Sequence, residues 1–179
     1  MEDKQLQSIR YKLQKRVRRL NSAEYRQFIP LLKQFFIYFN SSPILCSVRD
    51  VLLEKTKKYD IKNTIDKIVD QKEKIDGSTE EEAAALGYEI LLRVTTADDP
   101  GKIIMCRKKI QRRAGQDLDW YSKERDEAFE MFRPDFLEPF YEYIDEHIDD
   151  QHIILYLLKK YKHQCEWFHV LADSTPKCN

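Results

Sequence analysis

Glycine and proline are scarce, at four and six in 179 residues, which leaves little material for the turns of a hairpin-rich chain. The four cysteines, Cys46, Cys106, Cys165 and Cys178, stand far apart, with no CxxC and no close pair. In a chain of this length that spacing argues against a disulfide framework and predicts free thiols in a reducing compartment. Long apolar runs are missing too: the stretch from Phe35 to Phe39 has five residues, against ~20 for a membrane span. The opening MEDKQLQSIR has no apolar core of the kind a secretory leader needs. A soluble, cytoplasmic chain without a membrane partner is expected.

The signatures of most reactions are also lacking. There is no GxSxG, no GxxxxGK[ST] and no GxGxxG, and Asp99-Pro100-Gly101-Lys102 reads as a turn rather than a phosphate loop. All four histidines lie between 147 and 169, and no arginine precedes any of them at the four-to-six-residue gap of compact helical RNases. The segment Glu138, Glu142, Asp145, Glu146, His147, Asp149, Asp150, His152 holds metal-binding atoms, and Asp149 to His152 has an acid-x-x-His spacing. A di-metal helical bundle repeats that spacing on a second helix, and no comparable repeat is found. An acidic face with capping aspartates is therefore preferred, and a metal-dependent enzyme is a third reading. Cys165 and His169, near His163 and Cys178, fall short of four convergent zinc ligands in the usual pairing. No catalytic residue, metal or cofactor is assigned, and no enzyme activity is expected.

What is present is helix. Charged residues make up 35% of the chain, well above the ~25% norm, and they are interleaved with apolar residues at helical period. Leu6, Ile9, Leu13, Val17 and Leu20 form such a stripe over residues 3–20. Ser22 is read as the cap of a second helix over 23–39. Its phenylalanines, Ile29, Leu31, Leu32 and Ile37 cover several sides, which predicts a central position, with a kink or boundary at Pro30. Ser42-Pro43 opens a third helix to about 57, with Leu45, Val48 and Leu52 inward. A fourth spans about 62–75, with Ile65, Ile68, Val69 and Ile75 on one face. Ser78 with Glu81 predicts a capping box for a fifth over 79–94. Asp98-Asp99-Pro100-Gly101 is a hard stop before a basic amphipathic segment at 102–113, and Ile103 to Cys106 is the best candidate for a short strand. Helices at 119–132, 136–148 and 151–171 follow, with a break at Arg133-Pro134-Asp135. The expectation is an all-α single domain over 1–179, an irregular bundle of about eight helices. Residues 1–20 are its basic first helix or an arm, and 173–179 a flexible tail.

Zero net charge conceals a gradient. Residues 1–60 carry 13 basic and 6 acidic side chains, 61–118 carry 11 of each, and 119–179 carry 7 and 14. The basic excess concentrates in two runs without an acid. The first holds Lys4, Arg10, Lys12, Lys15, Arg16, Arg18 and Arg19. The second holds Lys102, Arg107, Lys108, Lys109, Arg112 and Arg113. Like charges one helical turn apart repel, so a polyanion or the chain's own acidic third should compensate them. From these runs Lys12, Lys15, Arg16, Arg18, Arg19, Arg107, Lys108, Lys109, Arg112 and Arg113 are the candidate nucleic-acid contacts, with Tyr11 and Tyr25 nearby.

The acidic third is rich in aromatics, first of all core residues at helical spacing. Acidic surfaces with protruding aromatics also bind proteins, so Trp120, Tyr141 and Trp167 are the candidate partner contacts. The segment from Tyr143 to Phe168, YIDEHIDDQHIILYLLKKYKHQCEWF, resembles the helical N-terminal regions of some bacterial proteins that carry a nuclease-like domain further along, some of them defence components. The resemblance covers 26 of 179 residues and implies an accessory helical module with no active-site residue of its own. The leading expectation is a non-catalytic interaction or adaptor module that binds a protein partner and self-associates. The alternative is a nucleic-acid-binding protein using segments 4–19 and 102–113.

Overall fold

The structure is a computed structural model that describes residues 2–71, 79–107 and 118–150; the side chains of Glu2, Asp3, Gln5, Asp70, Gln71, Arg107 and residues 118–122 are outside that description. The described residues are helical with no strand, in the order α1 (Glu2–Asn21), α2 (Tyr25–Ser41), α3 (Pro43–Lys55), α4 (Ile61–Asp66), α5 (Glu80–Thr96), α6 (Pro100–Ile104), α7 (Leu118–Phe132) and α8 (Glu138–His147). A π-helical turn (Lys67–Gln71) extends α4, and a second (Arg133–Leu137) joins α7 to α8. The all-α bundle read from the period of the apolar residues is the fold observed. Among the described residues no helix is long and apolar enough to cross a membrane.

The centre of the bundle is α5, not α2. Ala84, Ala85, Leu86, Gly87, Tyr88, Ile90, Leu91 and Val94 are all buried, and α5 lies against α2, α3, α4, α6, the second π-turn and α8. Small side chains make this close approach feasible. A Cβ on Gly87 would overlap the carbonyl oxygen of Phe136 and lie 3.2 Å from Cβ of Phe140. Helix α2 gives the core only one face, through Phe28, Leu32, Phe35, Phe36 and Phe39. Its other face is open, with Ile37 72% exposed. An all-round apolar sequence is thus no guarantee of an all-round buried helix.

Several local expectations are corrected. Ser22 does not cap α2, because its hydroxyl donates back to the Arg19 carbonyl at 3.4 Å and closes α1; Glu24 occupies the cap position instead. Pro30 neither ends nor starts α2, which runs through it. The ring sits on the exposed side of the helix, where it displaces no core packing. The cap of α5 is Thr79, whose hydroxyl accepts from the Glu82 amide at 3.2 Å, one residue beyond the Ser78 box. The acids Glu80, Glu81 and Glu82 then fill its first turn, where the helix dipole favours them.

The strand candidate at 103–106 is helical. Asp99 caps α6 through the Lys102 amide at 3.3 Å, Pro100 takes the first position, and Met105–Arg107 add a 3-10 turn. The break at Arg133-Pro134-Asp135 is a π-turn. Pro134 has no amide to give, and the Glu138 amide reaches the Arg133 carbonyl five residues back, so the chain widens locally instead of stopping. The expected helix at 151–171, the tail at 173–179 and most of the 143–168 resemblance lie outside the described residues.

Candidate functional site

Helix α1 sorts its side chains into three strips. Leu13, Val17 and Leu20 are buried and Ile9 packs partly against them, so α1 lies on α2 as a wall of the bundle. One flank faces α8. There Arg10 donates from Nε to Asp145 Oδ1 at 3.2 Å, from Nη1 to Asp149 Oδ2 at 2.7 Å and from Nη2 to the Asp145 carbonyl at 2.6 Å. Gln14 and Arg18 both lie near enough to the Tyr141 hydroxyl to favour its ionised form. The basic and acidic ends of the sequence therefore meet along this edge.

The other flank faces α2 across a groove of ≈ 410 Å³ lined by Tyr11, Lys12, Lys15, Arg16, Arg19, Leu31, Gln34 and Phe35. Four of these carry positive charge and none is acidic. Lys12, Lys15 and Arg19 are exposed, and none of the four cations pairs with a described carboxylate. Arg16 is held in place by neutral groups. Its guanidinium lies 3.9 Å over the Tyr38 ring, and Nη1 donates to the Lys12 carbonyl at 3.2 Å. The Tyr38 hydroxyl in turn donates to the Ile9 carbonyl at 3.3 Å. Burial pushes that hydroxyl's pKa up, against the pull of Arg16, so Tyr38 stays neutral and does not offset the charge of the groove. Tyr11 stands at the mouth with 66% of its surface exposed. Lys4 continues the same strip two turns towards the N-terminus and is exposed. At 1.5 Å per residue the strip from Lys4 to Arg19 is roughly 22 Å long.

Two other grooves of similar size differ in charge. One, of ≈ 460 Å³, sets Lys57, Lys62 and Arg93 beside Asp60 and Glu89. The other, of ≈ 390 Å³, sets Arg26 and Arg125 beside Glu24, Asp126 and Glu130. Tyr25 belongs to the latter, under the Arg125 guanidinium at 4.6 Å and edge-on to Phe129 at 5.9 Å, and so lies apart from Tyr11.

Of the residues singled out in the sequence, Lys12, Lys15, Arg16 and Arg19 come together in the α1–α2 groove, while Arg18 sits on the α8 flank. Only the backbone of Arg107 is described; Lys108, Lys109, Arg112 and Arg113 lie outside the described residues, as does Trp167, and the side chain of Trp120 is likewise outside. Tyr141 is half-buried against the core, and burial with the neighbouring Asp145 raises its pKa. The other described aromatics of the acidic third, Phe129, Phe132, Phe136, Phe140 and Tyr143, are core residues. In the acidic segment Asp145 and Asp149 hold Arg10, and among the described residues no three His, Cys, Asp or Glu side chains converge to hold a metal ion. Among the described residues, neither Cys46 nor Cys106 forms a disulfide. Leu31 and Gln34, the far wall of the groove, carry no motif; only their spacing along α2 marks them as one flank. No family model, curated protein or solved structure shows a significant match to the chain.

Proposed function

We propose that the chain is a helical nucleic-acid-binding module whose interface is the basic groove between α1 and α2. One observation carries the reading: Lys12, Lys15, Arg16 and Arg19 line a single groove with no acid, while the chain's own carboxylates engage Arg10 on the opposite flank. Among the described residues, intramolecular neutralisation, the competing account of the basic run, accounts for one arginine and leaves four cations with no carboxylate partner. Phosphate contacts of this kind position a nucleic acid and supply affinity without reading sequence. The reading needs no reacting group on the chain and is compatible with an accessory role beside a nucleic-acid-processing partner.

The test is fluorescence anisotropy with labelled DNA and RNA of arbitrary sequence at ~50 and ~200 mM salt. Binding that weakens steeply with salt is expected. Lys12→Gln, Lys15→Gln and Arg19→Gln should each weaken it and flatten the salt slope by roughly 0.7–0.9. Lack of binding at the lower salt would sink the reading.

A further inference from the structure

Resting on that reading of the groove, we infer that its ligand is a single strand, with one base laid on the Tyr11 ring and the flanking phosphates on Lys12, Lys15 and Arg19. Three features of the groove point this way. First, Tyr11 is a large aromatic left 66% exposed beside the cations of the same groove, whereas the other aromatics of α2 and α8 are spent on the core. An exposed ring among phosphate-binding cations is the arrangement with which single-strand binders take up a base, since every base has a stacking face and a duplex offers none along its sides. Second, the groove is lined on its far side by Leu31 and Phe35 with Gln34 between them. That gives the edge of a splayed base an apolar wall and one amide for hydrogen bonding.

Third, the surroundings disfavour a duplex. Helix α1 is not free to enter a major groove, because α2 walls one side and α8 the other. On the α8 side Asp149 and Glu142 are exposed, and a duplex laid on α1 would bring its phosphates towards them. A single strand threading the α1–α2 groove keeps α1 between its phosphates and those carboxylates. Arg16, held over Tyr38 and tied to the Lys12 carbonyl, needs no reordering to face the strand.

The experiment compares a labelled dodecamer of deoxythymidine, a duplex of the same length and heparin, each against the native chain, Tyr11→Ala and Tyr11→Phe, at one salt concentration and then across a salt series. Tyr11 is at the surface, so these variants should keep the native helical circular dichroism. The inference expects the single strand to bind more tightly than the duplex. It expects Tyr11→Ala to weaken single-strand binding roughly tenfold with an unchanged salt slope, Tyr11→Phe to retain most of it, and heparin to be indifferent to both. Equal affinity for the two DNA forms, or indifference of the single strand to Tyr11→Ala, overturns the single-strand inference while leaving the salt-dependent groove intact. Absence of binding to every probe overturns both.

Discussion

Gly87 is a residue whose side chain, by being absent, sets a distance. It allows α5 to lie against the π-turn at Phe136 and the start of α8. Alanine in its place would gain ~1 kcal/mol of helix propensity, yet its Cβ would meet backbone, which cannot rotate away. Overpacking of that kind costs ~1–3 kcal/mol, so Gly87→Ala should lower stability on balance, read as a lower urea midpoint with an unchanged slope.

Tyr143 presents the opposite case. Its hydroxyl is buried with no hydrogen-bond partner among the described residues, its ring stacks on His147 at 4.0 Å, and burial with Glu81, Glu80 and Asp150 nearby pushes its pKa from 10.0 to about 12. The folded state thus binds the phenolic proton more tightly than the unfolded chain. The resulting stability is complete below the unfolded value and is lost as pH rises towards about 12. Tyr143→Phe should blunt the fall in stability between neutral and strongly alkaline pH. Near neutrality it should be neutral or stabilising by up to ~1 kcal/mol, because an unsatisfied buried hydroxyl leaves; thermal unfolding across pH checks both. Neither residue stands out in the sequence. Gly87 looks there like a helix-weakening residue and Tyr143 like another core aromatic, and each acquires its meaning from a neighbour on another helix.

At the scale of the element, α1 shows how much one helix can hold. Its apolar stripe and its cations are set by local spacing, so Leu13, Val17 and Leu20 on one side and Lys12, Lys15 and Arg19 on another are legible in the sequence itself. The division of the cations is not. Arg10 and Arg16 look alike in sequence, yet Arg10 is bound to acids 135 and 139 residues away. The Arg10 cluster is half-exposed, which holds an ion pair to ~0.2–1 kcal/mol, with the bond to the Asp145 carbonyl adding to it. Arg10→Gln should therefore cost about 1 kcal/mol by chemical denaturation and leave the salt slope of nucleic-acid binding untouched, in contrast to Lys12→Gln. The element ends are harder to read. Thr79 and Ser78 are both competent caps, and the choice follows from where α5 must begin to set Ala84 and Ala85 against its neighbours. Pro30 and Pro134 both read as breaks. One lies on an exposed helix side and the other is absorbed by a π-turn.

For the whole molecule, the zero net charge is a sum of separate surfaces: an acidic edge consumed in part by Arg10 and an acid-free groove on the far side of α1. With four cations meeting a single strand, the slope of log affinity against log salt should be about −2.8. Raising salt fourfold, from ~50 to ~200 mM, should then cost roughly 50-fold in affinity. A slope near zero in the anisotropy titration would show that the groove does not take phosphates.

The all-α class was determined by the sequence alone, because a period of 3–4 residues in Leu6 to Leu20 or in Ile65 to Val69 is a local property that no distant contact needs to supply. The presence of an acid-free basic strip on α1 was determined in the same way. Only the tertiary structure decided that α5 rather than α2 is central, since that turns on the small Ala84, Ala85 and Gly87 admitting their neighbours. Only it decided that Arg10 is neutralised while, among the described residues, Lys12, Lys15, Arg16 and Arg19 meet no carboxylate. Charge pairing and groove formation join residues far apart along the chain, and their separation in sequence carries no record of which side of a helix its neighbours will occupy.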